Sequence, residues 1–139
     1  MHGAAFARDH RHCRERAREL LDFVGLSGRG PVLAGSLPYG EQRMLELARA
    51  LATKPRLLLI DEPAAGLNPA EVDALLARIQ RLRDQGITVV VVEHNMDLVM
   101  NVADRIMVVD YGQHLFEGVP ADVQTNPAVV AAYLGGELS

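Results

Sequence analysis

The sequence predicts an α/β fold in which helices cover a parallel sheet, and three observations lead there. Two short runs, Leu57-Leu58-Leu59-Ile60 and Ile87-Thr88-Val89-Val90-Val91-Val92, are almost wholly apolar, the pattern of strands buried on both faces. Between them, Val72, Leu75, Leu76, Ile79 and Leu82 recur at helical spacing. Strand, helix, strand in that order is a βαβ unit with parallel strands and a right-handed crossover. The 139 residues are 49% hydrophobic and 23% charged, an ordinary globular balance that excludes disordered and collagen-like chains. A chain of this length suits one domain and buries roughly two thirds of its unfolded surface.

Taken in order, Ala17, Leu20, Leu21 and Val24 recur at i, i+3, i+4 and i+7, so one helix with a single apolar stripe is predicted over 12–24. Gly25, Ser27, Gly28, Gly30 and Pro31 break it and form a loop. A second helix is expected from Pro38, since proline in the first turn gives up no helical hydrogen bond, with Ser36 available as a cap. Its stripe is Met44, Leu47, Ala48 and Leu51, and Lys54-Pro55 ends it. After the first strand, Pro63 to Pro69 lead into the third helix, which Gly86 caps before the second strand. A short helix near 96–102 follows. Two strands, 105–110 and 113–117, meet at a Tyr111-Gly112 turn, and helical pieces start at Pro120 and Pro127 and end at Gly135-Gly136.

Fourteen basic against 18 acidic residues leave a net charge of −4, which gives no bulk electrostatic case for a nucleic-acid partner. Arg8, Arg11, Arg14, Arg16 and Arg18 alternate with Asp9, Glu15 and Glu19 and read as a solvated helix face. The single cysteine, Cys13, allows no internal disulfide and fits a reducing compartment. No apolar run reaches the ~18 residues of a membrane span, and the polar start over 1–18 is no secretory signal. The chain reads as soluble and cytosolic. Lys54 is its only lysine and follows Thr53, so the 139 residues contain no phosphate-binding loop of the G-x-x-x-x-G-K-[ST] form.

Open parallel sheets bind ligands at the carboxyl ends of their strands. Those ends carry Asp61 and Glu62 after the first strand, and Glu93 and His94 after the second. Three carboxylates and an imidazole at one edge suit phosphate chemistry. An aspartate can hold Mg²⁺ through its water shell, a glutamate can orient or deprotonate an attacking water, and a histidine can stabilise developing γ-phosphate charge. The plainer alternative is that these are polar residues at helix entries. A second group, Leu37-Pro38-Tyr39-Gly40-Glu41-Gln42, lies at the start of the second helix. There unpaired N–H groups and the helix dipole attract anions, and Gly40 permits close backbone approach. A simple helix entry is the alternative reading.

Tyr39-Gly40-Glu41-Gln42-Arg43, Leu57 to Pro63, Gly66-Leu67-Asn68-Pro69 and Val92-Glu93-His94 come in a fixed order. Together they resemble the signature motif, Walker B motif, D-loop and switch histidine in the C-terminal half of an ABC-transporter ATPase domain. The resemblance runs from Ala17 to Gly135. Within that family the chain is most similar to the ATP-binding subunits of branched-chain amino-acid importers, on Asp61 to Pro69, Glu93 to Met100 and Ala132 to Gly135. It implies a partial P-loop NTPase fold: residues 1–54 as part of the helical subdomain ending in the signature helix, and 55–139 as the C-terminal part of a RecA-like core.

By the same resemblance the cofactors are ATP and Mg²⁺. Asp61 would support Mg²⁺ through water, Glu62 would polarise the hydrolytic water and His94 would contact the γ-phosphate. Tyr39, Gly40, Glu41 and Gln42 would face the ATP held by the opposite subunit, and Gly66 and Asn68 would lie in the loop that meets it. Implied partners are a second ATPase subunit in a head-to-tail dimer, integral membrane permease subunits and, indirectly, a solute-binding protein, with no nucleic acid. The assembled location is cytoplasmic and peripheral, on the inner face of the plasma membrane.

The chain departs from the family pattern at Pro38, where the family has a serine that bonds the γ-phosphate. It also lacks the Walker A half, so it reads as a truncated coding region or a fragment, inactive alone and exposing an unpaired edge or apolar face. Two other functions compete: a non-catalytic module that pairs with a complete ATPase subunit or a permease, and a metal-dependent hydrolase using Asp61, Glu62, Glu93 and His94.

Overall fold

Apolar spacing places most elements where the computed structural model has them. It describes residues 3–134, with side chains over 10–133, and these divide into two units that meet between Glu93 and His94. In the first unit α1 spans Gly3–Phe23, starting well before the predicted 12. The apolar stripe marks only where that helix packs; Ala4, Ala5, Ala7, Arg8 and Arg11 ahead of it are strong helix formers that need no stripe. Leu20 and Val24 are buried and Leu21 half-buried, whereas Ala17 is exposed. Arg11, Arg14 and Arg18 face solvent, as the charge pattern predicts, and Arg16 pairs with Glu19 Oε2 at 3.1 Å.

Helix α2 spans Tyr39–Ala52, packs on α1, and buries Leu47, Ala48 and Leu51. Pro38 is its N-cap rather than its first-turn residue. Ser36 does not cap it: a 3₁₀ turn over Ala34–Ser36 intervenes, and the Ser36 hydroxyl donates to the Leu33 carbonyl at 2.8 Å. The helix ends as Lys54 turns left-handed, with φ 53°, its N–H reaching the Leu51 carbonyl at 3.0 Å.

Strand β1 (Leu57–Asp61) pairs in parallel with β2 (Thr88–Val92), Leu57 opposite Thr88 and Asp61 opposite Val92. The crossover is α3, Pro69–Asp84, whose Leu75, Ile79 and Leu82 are buried. Each such side chain contributes roughly 1.5–3 kcal/mol by leaving water. Gly86, at φ 84°, turns the chain out of α3 in the left-handed conformation glycine allows. The guanidinium of Arg78 lies against Gly25, where an added Cβ would come within 2.3 Å of Nη2. Burial, reinforced by nearby Arg81, lowers the Arg78 pKa from its usual value.

The sheet departs from the expectation of two buried faces. Leu58 is buried, but Leu57, Leu59, Val90 and Val92 lie on the opposite face and are exposed, Leu59 by 70%. Alternation puts all four on one side, and the helices of this unit cover the other. An apolar run thus shows that a strand can be buried on both faces, while the neighbouring elements decide whether it is.

In the second unit, α4 (Met96–Val102) starts at Asn95, whose side chain accepts the Leu98 N–H. Strands β3 (Ile106–Asp110) and β4 (Gln113–Gly118) form an antiparallel hairpin with an irregularity between Val108 and Val109. At its turn Tyr111 and Gly112 have φ of 44° and 76°, the positive pair that matches strand twist in a two-residue hairpin. Ile106 and Val108 pack with Val123 and Val129, from α5 (Pro120–Thr125) and α6 (Pro127–Val129). A π turn continues α6 over Val130–Leu134, and the Tyr133 hydroxyl donates to the Val109 carbonyl. The predicted stop at Gly135-Gly136 lies outside the described residues. Arg105 Nε donates to Glu117 Oε1 at 2.6 Å and, by that bond, holds the Glu117 carboxyl below its usual range.

Candidate functional site

The site is built where β1 ends. Asp61 is the last residue of that strand and is exposed. Glu62 follows with φ 42°, a left-handed conformation that costs a non-glycine residue of order 1–3 kcal/mol. Its N–H donates to the Val92 carbonyl at 2.8 Å, so the turn is fastened to β2. A second tie comes from Glu93, whose Oε1 accepts the Ala64 N–H at 3.0 Å. Glu93 therefore steadies the loop that follows Glu62. The next turns close by Ala65 N–H to Glu62 and Leu67 N–H to Ala64, both at 3.1 Å.

The loop hands over to α3 through a capping box. Asn68 Oδ1 accepts the Glu71 N–H at 3.0 Å, and Glu71 Oε2 accepts the Asn68 N–H at 2.9 Å. The Asn-x-x-Glu spacing is the signal for that box. Asn68→Ala is expected to cost about 1 kcal/mol, read as a lower urea midpoint with an unchanged slope.

The start of α2 lies beside this loop. The Tyr39 ring packs on Gly66, where an added Cβ would sit 2.9 Å from Cε1, and an added Cβ at Gly40 would meet Glu71 Oε1 at 2.1 Å. Gly40 thus does permit a close approach, and within the chain the group that approaches is the Glu71 carboxylate. Glu41 Oε1 is held by Arg29 Nη2 at 2.7 Å, while Glu41 Oε2 is buried with no protein partner. Gln42 Nε2 donates to the Leu37 carbonyl at 2.8 Å. Arg43 Nε donates to the Tyr39 hydroxyl at 2.9 Å. The Arg43 pKa is raised by its hydrogen bonds to Glu46 and then Tyr39. Pro38 offers no side-chain cap, so the first N–H groups of α2 keep their pull on an anion.

Tyr39, Gly40, Glu41, Gln42, Asp61, Glu62, Gly66 and Asn68 all lie in the first unit, where the contact between the two groups is that of Tyr39 with Gly66. His94 is exposed and opens the second unit. Sequence reasoning missed Arg29 and Glu71. No local pattern marks Arg29 as the partner of Glu41, and the capping-box spacing identifies Glu71 without revealing its contact with Gly40. Among the described residues no three His, Cys, Asp or Glu side chains converge on one metal position. An exposed aspartate at a strand end still fits Mg²⁺ that keeps its own water shell.

A model described as "ABC transporter" matches residues 3–65. One described as "Branched-chain amino acid ATP-binding cassette transporter" matches 113–138. The high-affinity branched-chain amino acid transport ATP-binding protein BraF of Pseudomonas aeruginosa is 47% identical over 132 residues, 94% of this chain. The chain belongs to the ABC-transporter ATP-binding family.

LivG of Escherichia coli, named for the same transport, is 43% identical with the same coverage. Both alignments take in 52% of the relative, so the chain spans about half the length of the curated family members it matches. The crystal structure of an ABC transporter's ATP-binding cassette in its ADP conformation superposes with a TM-score of 0.80 at 34% identity, over 89% of this chain and 50% of that one. A nucleotide-free cassette gives 0.80 at 32%, over 88% and 50%. The fold is that of the ABC ATPase cassettes, the P-loop NTPase fold predicted from the motifs. Among the described residues no helix is long and apolar enough to cross a membrane.

Proposed function

We propose that this chain is the later half of the ATP-binding subunit of an ABC importer for branched-chain or other hydrophobic amino acids. The observation that carries the reading is the junction of β1 and α3. There Glu62 is held in a left-handed turn beside Asp61, and the loop that follows packs against the start of α2. A carboxylate fixed that way suits a general base, because its backbone is tied to Val92 and its side chain is exposed.

In this reading Glu62 takes a proton from a water that attacks the γ-phosphorus of ATP, and the bond to the ADP oxygen breaks in line. Asp61 would support Mg²⁺ through water, and the charge of the ion would offset that of the phosphates. His94 contacts the γ-phosphate. Tyr39 to Gln42 face ATP on a second subunit paired head to tail, and with proline at 38 phosphate contact there rests on Gly40 and the N–H groups of α2. Gly66 and Asn68 meet the same partner. Residues 1–54 belong to the helical subdomain and 55–139 to the RecA-like core. The assembly also includes membrane permease subunits and a solute-binding protein, and lies peripherally on the cytoplasmic face of the plasma membrane.

The sole lysine, Lys54, sits just past α2 rather than on a glycine-rich loop, so no lysine cradles the β- and γ-phosphates within these residues. The 139-residue chain alone is therefore expected to release phosphate from Mg²⁺-ATP no faster than buffer. Turnover by the chain that disappears in Glu62→Gln would overturn this. The same observation favours a second reading, a non-catalytic module that pairs through 39–42 with a complete ATPase subunit. Co-purification with a full-length relative, without gain of turnover, is the result it requires.

A further inference from the structure

A capping-box glutamate ordinarily serves its own helix and leaves its second oxygen to solvent. Glu71 does more. Its Oε2 accepts the Asn68 N–H at 2.9 Å, while its Oε1 fills the space that a side chain on residue 40 would occupy, 2.1 Å from an ideal Cβ. Gly40 is buried, and the Tyr39 ring lies on Gly66 at the other end of the same contact. The first turn of α2 and the loop that enters α3 thus touch at two points, Gly40 on Glu71 and Tyr39 on Gly66, and the Glu71 carboxylate reaches both segments.

We propose that Glu71 is a positioning residue that clamps the Tyr39–Gln42 turn to the Gly66–Asn68 loop, so that the two move as one body. Any displacement of the α2 start toward α3 pushes Oε1 and pulls Oε2 off the Asn68 N–H. Any opening of the α3 cap withdraws the group that Gly40 packs against. Small shifts at one loop therefore reach the other through a single side chain in tight packing. What the two loops face rests on the proposed function; the clamp itself does not.

Amide hydrogen exchange of the 139-residue chain, read residue by residue by NMR, tests it. In the unsubstituted chain the Asn68 amide, bonded to Glu71 Oε2, is expected to be protected. Gly40→Ala drives the Glu71 carboxylate away and is expected to speed Asn68 exchange about three- to tenfold, the worth of one hydrogen bond. The β1–β2 ladder amides should not change. Glu71→Ala gives the same loss, and the double variant loses no more than either single one, because no carboxylate remains to be displaced. Glu71→Gln, which keeps an acceptor, retains most of the protection.

An unprotected Asn68 amide in the unsubstituted chain overturns the proposal, as does Asn68 exchange unmoved by Gly40→Ala. So do losses that add in the double variant, or ladder amides that accelerate in parallel, which would mean general loosening. No ATP enters the measurement, so failure of the catalytic reading leaves its outcome intact.

Discussion

Glu62→Gln is expected to lower ATP turnover by about 10²–10⁴-fold, the usual worth of a positioned general base, in a complete cassette made by joining this chain to the preceding half of BraF. Glutamine has the size of glutamate and leaves the Glu62 backbone in place, so the left-handed turn and the bond to Val92 survive. What disappears is the capacity to take a proton. ATP binding should change by less than about threefold, since the substitution leaves uniform binding intact and removes transition-state help. Steady-state phosphate release, together with a separate nucleotide-binding titration, separates the two effects. A loss of turnover below about tenfold would remove Glu62 from the role of base. A parallel collapse of binding would show that the carboxylate organises the site rather than the reaction.

The helices and strands were legible because their apolar spacing is regular, and α4 matches its predicted span over 96–102. Asp61 and Glu62 were legible because two strand ends follow from two apolar runs. Less visible were features set by contacts across the chain. That Gly40 makes room for Glu71 depends on how α2 meets α3, 31 residues further on. The left-handed Glu62 is imposed by the pairing of its N–H with Val92, and nothing in the residue type announces it. Glu93 looks like a candidate for chemistry from its position, yet its carboxylate holds the Ala64 N–H. The composition of the strands misled in one respect. Leu57 to Ile60 read as buried throughout, and the packing covers only alternate residues.

That alternation predicts opposite costs for two chemically identical truncations. Leu75→Ala is expected to cost about 3–5 kcal/mol, toward the upper part of the range for buried leucines, whereas Leu59→Ala should stay within about 0.5 kcal/mol. Leu75 is 2% exposed. It lies at the floor of an open cleft of about 210 Å³ that Leu47, Leu58 and Pro63 also line. Shortening it removes apolar contacts with α2, β1 and the loop after β1 and leaves unfilled space among them. Leu59 is 70% exposed, so its side chain gives up little on truncation. Urea unfolding of the 139-residue chain, followed by circular dichroism, compares the two directly. Similar costs at both positions would mean that the face carrying Leu57, Leu59, Val90 and Val92 is covered in solution. A midpoint rising with protein concentration would then identify a second copy as the cover.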